Sequence, residues 1–358
     1  MQEMQQEITA VDLSDKELLE LHRDYQSSAE KVSLVYVEDS IPGIRRKKAG
    51  KGFTFIYNEK RVTEKSILNR IHRLAIPPAW SEVWICPKEN GHLQATGKDI
   101  ANRKQYRYHS QWAAWRNETK FHRLPAFGKV LPFLRKQVQK DMAKPELTEE
   151  KVIATVINLM EKTYIRIGSS DYEKLYGSYG LTTMKDNHVK VNGSSIQFTF
   201  KGKKGILHKI SVRNKRLAEI VQACKDIPGK ELFQYFDAEG NHKSIDSGMV
   251  NNYIRNATGG DFTSKDFRTW AGTLNMLRTI KSFGDAASMN ERKKNVLEAL
   301  DKVSALLGNT RAVCRKYYVH PGVIRMYEED SLKRYLVKMQ REKDEEKVMM
   351  TILKKLHA

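Results

Sequence analysis

The sequence is organised around a basic segment with two adjacent tyrosines: Gly308-Asn309-Thr310-Arg311-Ala312-Val313-Cys314-Arg315-Lys316-Tyr317-Tyr318-Val319-His320-Pro321. It predicts a short helix, because Gly308 can end a preceding helix, Thr310 can cap the next one and Pro321 prevents much continuation. A phenol ionises only near pH ~10, so it is a poor nucleophile at neutral pH unless nearby positive charge stabilises the phenolate. Four side chains of the segment could supply that charge: Arg311, Arg315, Lys316 and His320. By itself, the segment indicates either a tyrosine nucleophile or one core tyrosine and one surface tyrosine beside solvated cations.

The charge balance indicates a polyanionic partner. The chain has 358 residues and a formal net charge of +20, which is typical of proteins that bind nucleic acid. Residues 1–42 differ and form an acidic leader, since residues 1–40 hold ten acidic side chains against three basic ones. We expect a surface helix around Asp15 to Leu21, or a mobile arm, in this leader. The rest of the chain is strongly basic and long enough for two domains.

Cysteine usage and hydropathy argue against several classes of protein. Cys86, Cys224 and Cys314 are widely separated, and the sequence has no Cys-x-x-Cys pair and no secretory signal. This pattern predicts a reducing, cytoplasmic setting and argues against a zinc site or a disulfide framework. No apolar run approaches the ~18 residues that cross a bilayer. We therefore expect no metal, no cofactor and no membrane partner.

Residues 43–110 alternate between strand and turn patterns and predict a small β-rich domain. Strands are expected at Phe53–Tyr57, Glu82–Cys86 and His92–Thr96, with a helix at Glu64–Arg73 that ends before Ile76-Pro77-Pro78. Before the first strand, a basic loop with two glycines could hold phosphates through its amides and side chains. Its cations are Arg45, Arg46, Lys47, Lys48 and Lys51.

A second candidate DNA surface follows in the same domain. If residues 104–108 form a strand, Tyr106 and Tyr108 share one face, because side chains alternate along a strand. Donors for phosphates and base edges surround them: Arg103, Lys104 and Gln105. Aromatic residues interleaved with cations suit a nucleic-acid surface. The alternative, a tyrosine pair packed in the core beside solvated charges, stays open.

Residues 111–358 predict a larger, mainly helical domain that contains a three-stranded β-meander, so the fold class is α+β. One helix is expected from Glu149 to Ile167, stopped by Gly168, with Arg166 near its end. The meander strands are expected at His188–Val191, Ile196–Phe200 and Ile206–Val212. Its second turn carries three lysines that either reach a groove or keep the turn soluble: Lys201, Lys203 and Lys204.

Two further helices lead to the tyrosine segment. One is expected to start at Thr263 with a capping box, and Lys265 and Arg268 flank its apolar stripe. The other runs from about Asn290 to Leu307. The charged tail, Ser331 to Ala358, predicts one or two exposed amphipathic helices.

Four segments taken together resemble the catalytic blocks of type IB DNA topoisomerases, most closely the short bacterial and poxvirus-like forms. They are Tyr164–Gly168, Phe200–Lys203, Lys265–Thr269 and Leu307–Pro321. Leu74–Trp80 and Thr96–Tyr108 share the resemblance, which covers most of residues 43 to 325. Each motif is weak singly, but their common order is specific. The resemblance implies a tyrosine recombinase and topoisomerase IB-like catalytic domain with double-stranded DNA as its partner, and a monomer that closes as a clamp.

The resemblance also implies roles for five residues. Tyr318 matches the nucleophile, which resolves the choice between the two tyrosines. Arg166 and Arg268 match the pair that binds the non-bridging oxygens of the scissile phosphate, and Lys203 matches the lysine that protonates the leaving 5′ oxygen. Asn309 stands where many relatives have histidine, and we assign it a hydrogen bond to a phosphate oxygen without proton transfer. Further DNA contacts are expected from Gly168, Tyr172, Lys201, Lys204 and Lys265.

The implied activity is relaxation of supercoiled duplex DNA on the nucleoid. One strand is cut through a 3′-phosphotyrosyl intermediate, the duplex rotates and the strand is religated, without ATP or metal. A tyrosine site-specific recombinase is the first alternative, but recombinases usually present His-x-x-Arg where this chain has Lys265 and Arg268. A non-catalytic DNA-binding protein on the same fold is the second, and the competent residues at all five catalytic positions argue against it.

Overall fold

The computed structural model describes residues 24–50, 52–100 and 102–357, and the chain divides into two compact units, residues 1–123 and 124–358. The division falls within one long helix, Ser110–Met142, just before Pro125. A proline has no N–H, so it removes one hydrogen bond from the helix at this point. The predicted boundary after residue 110 coincides with the start of the same helix. The helix predicted around Asp15 to Leu21 lies outside the described residues.

The N-terminal unit contains a six-stranded antiparallel sheet in the order β3-β2-β1-β4-β5-β6. A short helix, α1 (Tyr25–Lys31), precedes the sheet, and α2 (Lys65–Arg73) follows its third strand. The strands are β1 (Ile44–Ala49), β2 (Gly52–Tyr57), β3 (Lys60–Arg61), β4 (Ser81–Ile85), β5 (Leu93–Lys98) and β6 (Lys104–Tyr108). Ile71 of α2 packs against a cluster of apolar residues on the sheet: Ile44, Phe55, Val83, Ile85 and Ala95.

The basic segment before β2 is a strand, so the prediction of a loop was wrong. Arg45 pairs with Ile56 and Lys48 with Phe53, and Gly50 turns the chain in the left-handed region at φ 55°. Strand β2 needs a partner for its backbone groups, and the preceding residues provide one through a tight hairpin. The cations therefore project from a strand, with Arg45, Lys47 and Lys48 exposed.

The second half of the predicted acidic leader belongs to the N-terminal unit. Ala29, Val32 and Leu34 pack in one apolar cluster with two tryptophans at the start of the long helix, Trp112 and Trp115. Val37 packs in another cluster, with Trp84, Cys86 and Leu93. Residues 24–42 are therefore held by apolar burial, although their sequence is acidic.

The C-terminal unit is mainly helical and contains the predicted three-stranded meander, which confirms the α+β fold class. Its first helices are α3 (Ser110–Met142, shared with the N-terminal unit), α4 (Glu149–Thr163) and α5 (Ser170–Tyr176). The meander strands are β7 (Val189–Asn192), β8 (Ser195–Lys201) and β9 (Leu207–Arg213), in that order. Helix α6 (Lys215–Lys225) and a hairpin, β10 (Gln234–Phe236) and β11 (His242–Ser244), follow.

Seven further helices complete the unit: α7 (Ser247–Thr258), α8 (Ser264–Ser282), α9 (Met289–Leu307), α10 (Arg311–Tyr317), α11 (Pro321–Glu328), α12 (Lys333–Leu336) and α13 (Glu342–Leu356). The predicted starts at Thr263 and Thr310 are confirmed, since each residue caps its helix. None of the described helices is long and apolar enough to cross a membrane.

Helix α4 ends four residues before the predicted Ile167. Tyr164 adopts the left-handed conformation at φ 57° and donates its N–H to the carbonyl of Met160 at 3.0 Å. The next residues are extended, because the carbonyl of Arg166 accepts from Leu181 at 2.9 Å and that of Ile167 accepts from Thr182 at 2.7 Å. Tertiary hydrogen bonds thus take the place of a last helical turn, and Arg166 projects from an extended segment.

The C-terminal tail is packed rather than exposed, which corrects the prediction for residues 331–358. Helix α13 buries Met349, Ile352 and Leu353. Its Glu346 accepts two hydrogen bonds from Arg135, both 2.7 Å long, and one from the indole N–H of Trp270 at 3.0 Å. The apolar stripe that made the tail amphipathic is therefore the face that the tail buries against the unit.

Candidate active site

One cleft of the C-terminal unit contains four of the five predicted catalytic residues: Arg166, Lys203, Arg268 and Tyr318. Three of the predicted DNA-binding residues line the same cleft: Gly168, Tyr172 and Lys265. These residues come from separate parts of the sequence, on the segment after α4, the β8–β9 turn, helix α8 and the end of α10. The fold thus assembles residues whose proximity no local pattern could establish.

Helix α8 holds the backbone of Tyr318 directly. The hydroxyl of Thr273 donates to the carbonyl of Tyr318 at 3.3 Å and accepts from the N–H of His320 at 3.2 Å. Gly272 lets the two segments approach closely, since a Cβ added there would lie 2.4 Å from the same carbonyl oxygen. Sequence reasoning missed both Gly272 and Thr273, because they look like ordinary residues of a buried helix face.

Arg268 is buried at the centre of the cleft. One Nη donates to the carbonyl of Tyr164 and the other to the carbonyl of Leu307, each at 2.7 Å. The guanidinium carbon lies 5.0 Å from the centre of the Tyr318 ring. Its Nε is buried and has no hydrogen-bond partner among the described residues. A buried N–H without a protein partner is costly unless a ligand satisfies it, so this group suits an incoming anion.

Arg166 lines the cleft and is hydrogen-bonded to Asn309, the fifth predicted catalytic residue. Its Nη2 donates to Oδ1 of Asn309 at 2.5 Å and to the carbonyl of Gly308 at 3.0 Å. Burial and the adjacent charge of Arg268 lower the pKa of Arg166 to about 10. Two cations held this close repel each other, and an anion bound between them would relieve that repulsion. The pair therefore offers a positively charged position for an anion.

Two of the four groups that the tyrosine segment offered as positive charges for Tyr318, Arg311 and His320, are engaged elsewhere. Arg311 forms an ion pair with Asp301, with Nε 2.6 Å from Oδ1. The His320 ring is buried, and its Nδ1 accepts from the N–H of Gly322 at 3.0 Å. The guanidinium of Arg268, which is remote in sequence, faces the Tyr318 ring.

Lys203 lies on an exposed turn between β8 and β9. Its Nζ is 5.8 Å from the centre of the Tyr172 ring, on the short helix α5. Lys204 adopts the left-handed conformation at φ 64°, and Gly202 donates to the carbonyl of Ile206 at 2.8 Å. Lys201 and Lys204 are exposed at the same turn. Gly168, at φ 105°, packs against Gly180 where the chain leads into α5.

Cys314 lies behind the cleft and is fully buried. Burial raises the pKa of its thiol to about 11, although Arg268 and a hydrogen bond with Asn309 act in the opposite direction. The thiol is therefore protonated at neutral pH. All three cysteines are free.

Several of the predicted DNA-binding residues of the N-terminal unit make contacts within that unit. Arg46 donates to the carbonyls of Pro77 and Trp80, at 3.1 and 2.6 Å, and stacks over Phe53. Lys104 forms an ion pair with Asp39 at 2.7 Å. Arg103 and Gln105 both donate to the carboxylate of Asp99. Lys51 lies outside the described residues.

Tyr106 and Tyr108 share one face of the sheet, as the alternation predicted. Their rings stack with centres 5.8 Å apart, and each side chain is nearly half exposed. The alternative of a tyrosine pair in the core is therefore wrong. Exposed stacked rings beside Lys104 form a surface on which nucleic acid can bind.

Comparisons with known proteins identify the family of this chain. Residues 109–347 match the family model of the eukaryotic DNA topoisomerase I catalytic core, and residues 52–99 match that of the bacterial DNA topoisomerase IB N-terminal domain. The chain is 33% identical to the DNA topoisomerase 1B of Acanthamoeba polyphaga mimivirus over 295 residues, which cover 80% of this chain and 88% of that protein. It is 21% identical to the DNA topoisomerase 1B of Vaccinia virus (strain Copenhagen) over 235 residues, which cover 64% and 71%. The resemblance seen in the sequence is confirmed, and the chain belongs to the type IB DNA topoisomerase family.

Proposed function

We propose that this type IB topoisomerase relaxes supercoiled duplex DNA by transient cleavage of one strand. The observation that carries the proposal is the common cleft of Arg166, Lys203, Arg268 and Tyr318, in which the Arg268 guanidinium faces the Tyr318 ring at 5.0 Å. In cleavage, the Tyr318 hydroxyl gives its proton to solvent water, its oxygen attacks the phosphorus, and the bond to the 5′ oxygen breaks. The DNA 3′ phosphate is then joined to Tyr318, and the free 5′ strand can rotate.

The transition state gathers negative charge on the oxygens of the phosphate. Arg166 and Arg268 stabilise that charge, because their planar guanidinium groups donate several hydrogen bonds from fixed positions. Asn309 is tied to Arg166, and we assign it a hydrogen bond to a phosphate oxygen. Lys203 gives a proton to the leaving 5′ oxygen and takes it back when the 5′ hydroxyl attacks during religation. The phosphotyrosyl bond retains the free energy of the broken bond, so religation needs no ATP.

We propose that one chain closes as a clamp around the duplex and acts on the nucleoid in the cytoplasm. Exposed cations in both units support this proposal, as does the net charge of +20. The contacts expected from the N-terminal unit are those of Arg45, Arg46, Lys47, Lys48 and Lys51 and of the surface around Tyr106 and Tyr108. In the catalytic unit, Gly168, Tyr172, Lys201, Lys204 and Lys265 are expected to contact DNA beside the cleft.

The experiment that tests the function is relaxation of plasmid DNA with a metal chelator present and no nucleotide. Both positive and negative supercoils should relax under these conditions. No metal is needed because side chains neutralise the charge of the transition state, and no ATP is needed because the energy of the broken bond is conserved. A strict requirement for magnesium or ATP would contradict the proposed mechanism. DNA binding without relaxation would favour a non-catalytic protein, and exchange of specific duplexes would favour a recombinase.

Replacing Lys203 by alanine should slow cleavage of ordinary DNA by about 10²–10⁴-fold, the usual contribution of a general acid. The reason is that the 5′ oxygen would have to leave as an alkoxide. A substrate with sulfur at that bridging position needs no proton on its leaving group, so Lys203→Ala should recover most of its rate there. The measurement is single-turnover cleavage of both substrates.

The neighbouring lysines provide the control for this prediction. Lys201→Ala and Lys204→Ala lose groove contacts, which weakens binding to both substrates alike and gives no selective recovery on sulfur. If Lys203→Ala were equally slow on both substrates, Lys203 would not be the proton donor.

A further inference from the structure

His208 lies where the Lys203 turn meets the turn that carries Asn309. Its ring stacks on Phe200 with centres 5.1 Å apart and an interplanar angle of 18°. A Cβ added to Gly202 would lie 2.6 Å from Nε2 of His208, and one added to Gly308 would lie 2.5 Å from Cε1. The imidazole therefore occupies the space that side chains at both glycines would take. It joins two turns that are far apart in sequence.

The Lys203 turn has little other burial to hold it. Of residues 201–207, all of which the structure describes, only Gly202 is buried. The turn closes through two backbone hydrogen bonds, from Gly202 to Ile206 at 2.8 Å and from Gly205 to Gly202 at 3.0 Å. These bonds fix its shape, and one further bond, from the N–H of Tyr179 to the carbonyl of Lys201 at 2.8 Å, holds its first residue to the segment after α5. Gly202, in contact with His208, is where the turn meets the packed interior.

The surroundings of His208 favour a packing role. Burial lowers its pKa, and the charges of Arg166 and Arg268 lower it further. The imidazole is therefore neutral at pH 7, and a neutral ring can lie near two guanidinium groups without repulsion. Among the described residues, none forms a hydrogen bond with the ring. The ring therefore acts through its stacking on Phe200 and its contacts with Gly202 and Gly308.

We propose that His208 is a positioning residue that holds the Lys203 turn against the Gly308–Asn309 turn, so that the Lys203 ammonium reaches the leaving 5′ oxygen. The proposal rests on the proposed function, in which Lys203 is the proton donor. It differs from a role in proton transfer by His208 itself, because it needs the flat ring and not its nitrogen atoms. It also differs from a general role in stability, because the loss should fall on one chemical step.

The test compares His208→Ala and His208→Phe in single-turnover cleavage of the oxygen and sulfur substrates at saturating DNA. His208→Ala should slow cleavage of the oxygen substrate by about 10–100-fold, since a shift of about 1 Å in a catalytic group can cost on the order of 10²-fold. On the sulfur substrate it should cleave at nearly the wild-type rate. His208→Phe keeps a flat ring on Phe200 and should recover most of the rate on oxygen.

Three results would overturn the proposal. The first is a wild-type rate for His208→Ala, and the second is an equal loss on both substrates, which would assign the defect to Arg166, Asn309 or the fold. The third is a slow His208→Phe that sulfur rescues, which would mean that the imidazole nitrogens are needed. Lys203→Ala run in parallel separates these results from a failure of the proposed function, because that failure would remove the sulfur rescue from Lys203→Ala itself. Thermal unfolding midpoints check folding, and if His208→Ala fails to fold, His208→Leu gives the same comparison.

Discussion

Replacing Tyr318 by phenylalanine should abolish covalent capture and relaxation of DNA while leaving DNA binding intact. The substitution removes only the phenolic oxygen. The contacts that hold residue 318 involve its backbone, through Thr273 and the close approach of Gly272, and these remain. The ring can also stay near Arg268. Loss of a covalent nucleophile costs on the order of 10⁵-fold or more in rate, so no adduct should be detectable by denaturing electrophoresis.

Tyr317→Phe is the matched control for this prediction. Tyr317 is the last residue of α10 and is 42% exposed. Its replacement removes the same atom from the neighbouring residue, and adduct formation should stay close to the wild-type level. If the two variants exchanged their phenotypes, the nucleophile would be Tyr317 and the assignment would be wrong by one residue.

Replacing Arg268 by alanine should reduce the cleavage rate by about 10³–10⁵-fold, the range seen when an arginine that stabilises phosphoryl transfer is lost. This corresponds to about 4 to 7 kcal/mol of transition-state stabilisation. The substitution removes two sets of contacts at once. The guanidinium faces the Tyr318 ring, and it donates hydrogen bonds of 2.7 Å to the carbonyls of both Tyr164 and Leu307. Arg268→Lys should recover little, because one ammonium cannot satisfy both carbonyls and also contact phosphate.

Arg278→Ala provides a control on the same helix. Arg278 forms an ion pair with Glu345 of α13 at 2.7 Å and does not line the cleft. Its loss should lower the unfolding temperature slightly and leave the cleavage rate within a few-fold of wild type. The bridging-sulfur substrate should rescue Arg268→Ala only partly at most, since the sulfur leaves the charge on the other phosphate oxygens unchanged. Near-normal cleavage by Arg268→Ala would contradict its assigned role.

Local chemistry predicted much of the secondary structure. The meander follows from alternation around Asn192-Gly193. The start of α8 follows from the pairing of Thr263 with Asp266, and the start of α10 from the Thr310 hydroxyl. The end of α4 could not be predicted in the same way, because it depends on hydrogen bonds between Arg166 or Ile167 and residues that follow α5. The strand formed by the basic segment before β2 could not be predicted for a similar reason, since it exists through pairing with β2.

The residues of the candidate site were predicted from the order of four motifs along the chain, and not from the properties of any single segment. The sequence of α10 suggested that its own cations surround Tyr318, whereas Arg311 pairs with Asp301 and Arg268 faces the tyrosine. Thr273 and His208 could not be found from the sequence, because a threonine in a buried helix and a histidine in an alternating strand are common. Their importance follows only from the atoms that they contact across long separations in the chain.

In the covalent complex, Tyr318 should carry the 3′ end of the cut strand. The direct measurement is to trap the covalent complex on a labelled duplex, digest both components and identify the linked peptide and nucleotide by mass spectrometry. We expect a nucleotide joined through its 3′ phosphate to Tyr318, in the peptide that contains residues 317–325. A linkage at Tyr317, or attachment through a 5′ phosphate, would contradict it.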